Sequence, residues 1–162
     1  FWATKHNLKV MADSVLFLRE QGIKSVAQLD VLIQEGADKR QELQEEIKLI
    51  DDKSAQLSKV MEHAHTVKQF KEIYKYHKEN PTDKQFENEY SREIALYKVA
   101  ATELLKNYKK LPDTKEILAE LDILQEKKNT LMKEYSDSKT NMDDLFTIRK
   151  NFEQYMGKEM ER

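Results

Sequence analysis

Residues 26–79 are a long stretch of the sequence that contains one Gly and no Pro. Within it, apolar residues recur in alternating steps of four and three, the heptad spacing of a helix that packs along one seam. The seam residues are Leu29, Ile33, Leu43, Ile47, Ile50, Leu57, Met61 and Ala64. The pattern predicts a single helix over 26–79, which would be roughly 80 Å long at about 1.5 Å per residue. A helix of this length predicts an elongated molecule.

Turn-forming and capping residues mark both ends of this helix. Gly22 is placed to end a first helix, 3–21, in a left-handed conformation. Ser25 and Gln28 have the spacing of a capping box at the start of the long helix. At the other end, Asn80-Pro81 stops the helical pattern.

Two further helices follow in the C-terminal half. Aromatic and aliphatic residues at steps of four and three predict a third helix over 83–108. Pro112 interrupts the pattern, and Asp113 or Thr114 can cap a fourth helix over 114–156. Because the link between the second and third helices is short, we expect the third to lie antiparallel to the second. The fourth is expected to lie along both or to extend the stalk.

The predicted fold class is all-α, an elongated helical bundle with long antiparallel coiled-coil helices. Only 3 Gly and 2 Pro occur in 162 residues, so a sandwich or barrel of short strands is not expected. The same scarcity leaves no glycine-rich loop that could hold a phosphate. We interpret 1–162 as a single elongated helical domain and, because it opens with Phe1-Trp2, as a fragment of a longer protein. This aromatic pair is expected to pack against the bundle or against an upstream domain.

The apolar seam of the long helix is interrupted at three positions. Gly36, Arg40 and Ser54 stand where the heptad spacing calls for apolar residues. These positions can be matched by the third and fourth helices or by a second chain. The sequence therefore leaves two interpretations open, a monomeric bundle and a homodimer.

A row of lysines near the end of the long helix is the best candidate for a binding surface. Its members step by three, four and three, which places them on one stripe: Lys68, Lys71, Lys75 and Lys78. Glu72 is the only acidic residue in 63–78. Tyr74 and Tyr76 are interleaved with the lysines, which suits contact with phosphates and stacking on bases. A solvated helix face is the alternative, and Tyr74 also has the spacing of a core residue.

The other charged clusters have simpler explanations. His63 and His65 could share a metal on a strand, but on a helix they point about 200° apart, so we interpret them as two surface histidines. Lys106, Lys109 and Lys110 suit the negative end of a helix macrodipole. The pairs Asp143-Asp144 and Glu45-Glu46 are typical of solvated faces. The sequence therefore predicts no metal site, no cofactor and no catalytic residue.

Overall charge and composition restrict the function further. The 28 basic and 30 acidic residues give a net charge of -2, so only a local surface could attract nucleic acid. The absence of Cys excludes disulfides and thiol nucleophiles. No apolar run reaches the roughly 18 residues of a membrane span. We expect a cytoplasmic protein.

The order of several short segments resembles the region that follows the nuclease domain in conjugative relaxases, or mobilisation nucleases, of Gram-positive mobile elements. Residues 2–12 are similar to the family's W-A-x-x-x-N-L-K-x-M-A segment, and residues 17–25 to its F-L-x-E-x-G-I-x-S link. Residues 74–78, 93–100 and 110–112 resemble its later helices in the same order.

The resemblance implies a parent enzyme that nicks one DNA strand at an origin of transfer, using a tyrosine nucleophile and a metal held by histidines. None of that apparatus maps onto this chain, because His63 and His65 lie in a helical pattern. The chain would be a non-catalytic C-terminal interaction domain that contacts DNA, the coupling machinery or another relaxosome protein. The alternative is a structural coiled-coil module for dimerisation or scaffolding, with no nucleic-acid role.

Overall fold

The computed structural model describes the backbone of residues 2–160 and the side chains of residue 9 and residues 12–154. Every regular element in this described part is a helix, which confirms the all-α prediction. The helices are α1 (Trp2–Glu20), α2 (Val26–Glu79), α3 (Lys84–Glu89), α4 (Ser91–Asn107) and α5 (Thr114–Met160). The expectation for the side chains of Phe1 and Trp2 lies outside the described residues.

The turn between α1 and α2 forms as the sequence predicts. Gly22 has a φ of 66°, in the left-handed region, and is the only residue with positive φ along the described backbone. The N–H of Ile23 donates to the carbonyl of Leu18 at 2.8 Å, which closes the end of α1. The N–H of Gln28 donates to the Ser25 hydroxyl at 3.3 Å, which caps α2.

The prediction of one unbroken third helix over 83–108 is wrong, because the segment divides at Tyr90 into α3 and α4. Tyr90 has φ −107° and ψ 23°, outside helical geometry. Asp83 caps α3 by accepting from the N–H of Phe86 at 3.0 Å. The Phe86 ring lies between the rings of Tyr76 and Tyr90, with centroids 4.3 Å and 4.6 Å away. The short α3 thereby brings Phe86 back onto α2 before α4 begins.

The described chain divides into two compact units. The central unit comprises residues 48–128, and the terminal unit comprises the described residues before 48 and after 128. Helices α2 and α5 each contribute to both units.

In the terminal unit, α5 runs antiparallel to α2. Arg149 of α5 pairs with Asp30 of α2 at 2.6 Å. Ten residues further along α2, Arg40 donates a hydrogen bond at 2.9 Å to Tyr135, which comes earlier in α5 than Arg149, so the two helices run in opposite directions. The apolar core of this unit is centred on Leu18, Leu29 and Ile148, with Phe17, Ile23, Ile33, Leu145 and Phe152 packed around it.

Two of the three interrupted seam positions are filled from within the chain. At Gly36 an added Cβ would lie 2.6 Å from the sulfur of Met142, so the absence of a side chain lets α5 approach closely. The guanidinium of Arg40 lies 4.9 Å from the centroid of the Tyr135 ring, in cation–π range. These contacts account for Gly36 and Arg40 without a second chain, and Ser54 is half-buried.

In the central unit, α4 returns antiparallel along the distal part of α2, as the short link predicts. The Tyr74 ring stacks on the Tyr97 ring with centroids 4.2 Å apart and planes 15° apart. The start of α5 also lies beside α2, where Lys53 pairs with Glu120 at 2.6 Å. The buried residues of this unit are Ile50, Ala64, Ile94, Ala100, Leu104 and Ile117.

Candidate nucleic-acid interface

The lysine row predicted from the sequence continues the apolar seam of α2 without a change of step. From Leu43 to Ala64 the seam positions advance by four and three, and Lys68, Lys71, Lys75 and Lys78 follow in the same alternation. Ala64 is only 1% exposed, whereas all four lysines are exposed. The seam therefore passes from buried to solvent-facing within one helical turn.

The start of α5 explains this change. In the central unit, Asp51 pairs with Lys128 at 2.6 Å and Lys53 with Glu120 at 2.6 Å. Extending these antiparallel pairs back along α5 puts Thr114 level with about residues 59–65 of α2. Because α5 begins at Thr114, it does not cover the seam positions of α2 that follow this level, and the lysines at those positions face water.

The charge of the lysine row is only partly offset by nearby carboxylates, those of Glu72 and Glu79, which lie three or four residues from members of the row. None of its four ammonium groups forms an ion pair with the part of the chain that the structure describes. Lys53, Lys84, Lys106, Lys128 and Arg149, by contrast, each pair with a carboxylate within 2.6–2.7 Å. The row is thus a local positive surface on a chain whose overall charge is close to neutral.

The two tyrosines that alternate with the lysines differ in burial, since Tyr74 is packed inside the central unit and Tyr76 is exposed. Tyr74 is half-buried and stacked on Tyr97. Tyr76 packs on Phe86, and its hydroxyl donates to the Asp83 carboxylate at 3.3 Å. Tyr74 therefore packs within the unit, as its core spacing predicts. Tyr76 is 43% exposed beside the lysines, so part of its ring stays open to solvent.

His63 and His65 point to different surroundings, as their helical spacing predicts. His65 is exposed, whereas His63 is half-buried and not a surface histidine. It lines a groove of 470 Å³ between α2 and the end of α4, together with Lys53, Lys59, Glu103 and Tyr108 among others. No cluster of three or more potential metal ligands occurs among the described residues.

Glu103 is the carboxylate of this groove, and neighbouring cations control its charge. Lys106 donates to it at 2.6 Å. This hydrogen bond and the charge of Lys106 lower the pKa of Glu103 below its ordinary value, with a smaller contribution from His63. Lys106 is therefore committed to a local ion pair, whereas Lys109 and Lys110 are exposed.

Sequence reasoning missed an acidic row in the first half of α2. Its members are spaced by three, four and three, the spacing of the lysine row: Glu35, Asp38, Glu42 and Glu45. All four are exposed, and none is ion-paired with another described residue. The signal for this row in the sequence is the helical period of its acidic residues, not the adjacent pair Glu45-Glu46.

The remaining predicted clusters lie on the surface. Asp143 and Asp144 are exposed, as are Glu45 and Glu46.

Along the described backbone, residues 2–160, no helix is long and apolar enough to cross a membrane.

The arrangement around the lysine row can supply electrostatic attraction on a rigid helix. Four cations along about 15 Å of helix axis suit a partner with regularly spaced negative charges.

No protein family, characterised protein or solved structure matches this chain.

Proposed function

We propose that this chain is a non-catalytic interaction region that contacts the phosphate backbone of nucleic acid through the lysine row. The observation that carries the proposal is the run of four exposed, unpaired lysines at seam positions where α5 no longer covers α2. Phosphates at regular intervals match such a row, and each neutralised phosphate releases counterions.

The lysine row itself contacts only the backbone of the nucleic acid. Tyr74 is held against Tyr97, whereas Tyr76 packs on Phe86 and stays 43% exposed, so stacking on a base, which tolerates any sequence, is open to Tyr76 alone. Contacts to phosphate alone carry no sequence information. We therefore expect binding that is independent of sequence and strongly dependent on salt.

The biological setting of the proposal rests on the sequence resemblance to relaxases. In that setting the parent enzyme nicks DNA at an origin of transfer in the cytoplasm, and this region keeps the transferred DNA near the complex. The coupling machinery and other relaxosome proteins are the further partners that the resemblance implies. The chemistry would belong to the parent's nuclease domain, and this chain would act by binding.

The test is a fluorescence titration of a labelled oligonucleotide at several salt concentrations. If all four lysines contact phosphates, the slope of log K against log salt is about −3 for a single strand and about −3.6 for a duplex. The variant Lys71→Gln with Lys75→Gln should reduce the magnitude of either slope by about half.

Lys109→Gln with Lys110→Gln is the matched control, because both residues are exposed lysines outside the row. The control should leave the slope unchanged if the row is the binding surface. An absence of binding at about 50 mM salt would refute the nucleic-acid proposal.

A further inference from the structure

The acidic row and the lysine row of α2 are complementary in charge and spacing. Each consists of four residues at steps of three, four and three on an exposed stripe of the same helix. The acidic row runs from Glu35 to Glu45 and the lysine row from Lys68 to Lys78.

The spacing matches residue by residue when two copies of the helix are placed antiparallel. Glu35 then meets Lys78, Asp38 meets Lys75, Glu42 meets Lys71, and Glu45 meets Lys68. Because the axial separations within each row are equal, one alignment brings all four opposite charges together. A parallel alignment of the two helices also preserves the steps, but it makes their dipoles point in the same direction, which is less favourable than the opposed dipoles of the antiparallel alignment.

We propose that this chain associates with a second copy of itself through the acidic row of one molecule and the lysine row of the other. Charge complementarity identifies the occupant, because the chain itself supplies a row of opposite sign with the same spacing. The two rows cannot satisfy each other within one molecule, since both belong to a single continuous helix and are separated by more than twenty residues.

This inference goes beyond the proposed function and uses the same lysines. A second copy and a nucleic acid would therefore compete for the row, and self-association would withdraw the lysines from phosphate binding. Either contact can exist without the other, so each has its own test.

The experiment uses two variants that reverse the charge of one row each. The first carries Lys71→Glu and Lys75→Glu, and the second carries Asp38→Lys and Glu42→Lys. In each variant alone, like charges face one another across the proposed contact. When the two are mixed, the intact rows pair with each other, and so do the two reversed rows.

Sedimentation velocity of nuclease-treated protein at about 50 mM salt should show the wild-type chain above its monomer mass of 19.2 kDa. Each variant alone should have a dissociation constant for self-association about tenfold higher than that of the wild type. The equimolar mixture should associate as the wild type does. A variant of Lys109→Glu with Lys110→Glu is the matched control and should behave as the wild type.

A wild-type chain that stays monomeric at low salt would overturn the proposal, and so would a mixture that fails to recover association. Recovery in the mixture also shows that both variants are folded, and circular dichroism of each variant checks their helix content. Oligonucleotide binding by a charge-neutralised variant, Asp38→Asn with Glu42→Gln, separates this inference from the proposed function, because its lysine row is intact and it gains no new cation. That binding is expected to persist whether or not the chain self-associates.

Discussion

The two stretches of α2 on either side of Ala64 follow one heptad spacing and have different surroundings. Before Ala64, seam residues such as Ile50 are buried, with the start of α5 alongside. After Ala64, the same positions carry the exposed lysine row. The spacing therefore predicts the helix, whereas the chemistry of the seam residues indicates whether another helix lies opposite.

The largest expected effect comes from a buried seam residue before Ala64. Ile50→Ala removes one methylene and two methyl groups from a residue that is only 6% exposed. We expect a loss of about 2–5 kcal/mol in the free energy of unfolding, measured by denaturant titration. Lys71→Ala, at a seam position after Ala64, should change the same quantity by no more than about 0.5 kcal/mol. Similar losses for the two variants would show that the stretches do not differ as described.

The close approach of α2 and α5 at Gly36 gives the next effect. A side chain at this position would collide with Met142, which is 5% exposed. Gly36→Leu should therefore cost about 1–3 kcal/mol of stability. In a double-mutant cycle with Met142→Ala, the combined loss should be smaller than the sum, because the smaller residue makes room. Additive losses would place the two residues out of contact.

The polar seam contact in the terminal unit tests a different kind of packing. Tyr135→Phe removes the acceptor of the Arg40 hydrogen bond. The Nε of Arg40 is already buried and has no hydrogen-bond partner among the described residues. We expect a loss of about 1–2 kcal/mol. Arg40→Met combined with Tyr135→Phe should be nearly neutral or stabilising, because two apolar side chains leave no unsatisfied group. A large loss in this double variant would assign Arg40 a role beyond filling the seam.

The smallest effect concerns Glu103, on α4 opposite α2. Its folded-state pKa is lowered by the hydrogen bond and charge of Lys106. Stability from this pair is therefore fully present above the unfolded-state pKa, and it is lost as the pH falls through the folded-state value. Lys106→Gln should raise the pKa of Glu103 towards its ordinary range. Carbon NMR of the carboxyl group would measure the shift, and an unchanged titration midpoint would contradict the assigned partner.

Helix positions could be predicted from the sequence because they depend on local signals. Gly22, the Ser25–Gln28 cap and Asn80-Pro81 mark ends that the structure places within a residue of the prediction. The break at Tyr90 could not be predicted, since it depends on the packing of Phe86 against α2. No local residue such as Gly or Pro signals that break.

The candidate site was only partly predictable for the same reason. The lysine row is visible in the sequence, because it needs only helical spacing. The engagement of Tyr74 by Tyr97 depends on the antiparallel alignment of α2 and α4, which spacing alone does not fix. The match between Gly36 and Met142 likewise depends on the alignment of α2 with α5.

The division of the chain into units has a consequence for the order of folding during translation. The central unit is one continuous segment, 48–128, whereas the terminal unit needs the described residues after 128 to meet those before 48. Its contacts join distant positions, such as Asp30 and Arg149, which are 119 residues apart, and long loops close more slowly than short ones. The whole central unit leaves the ribosome before the second half of the terminal unit has emerged. The central unit, which bears the lysine row, is therefore expected to form first, and residues 129–160 of α5 close along the first part of α2 as the last step.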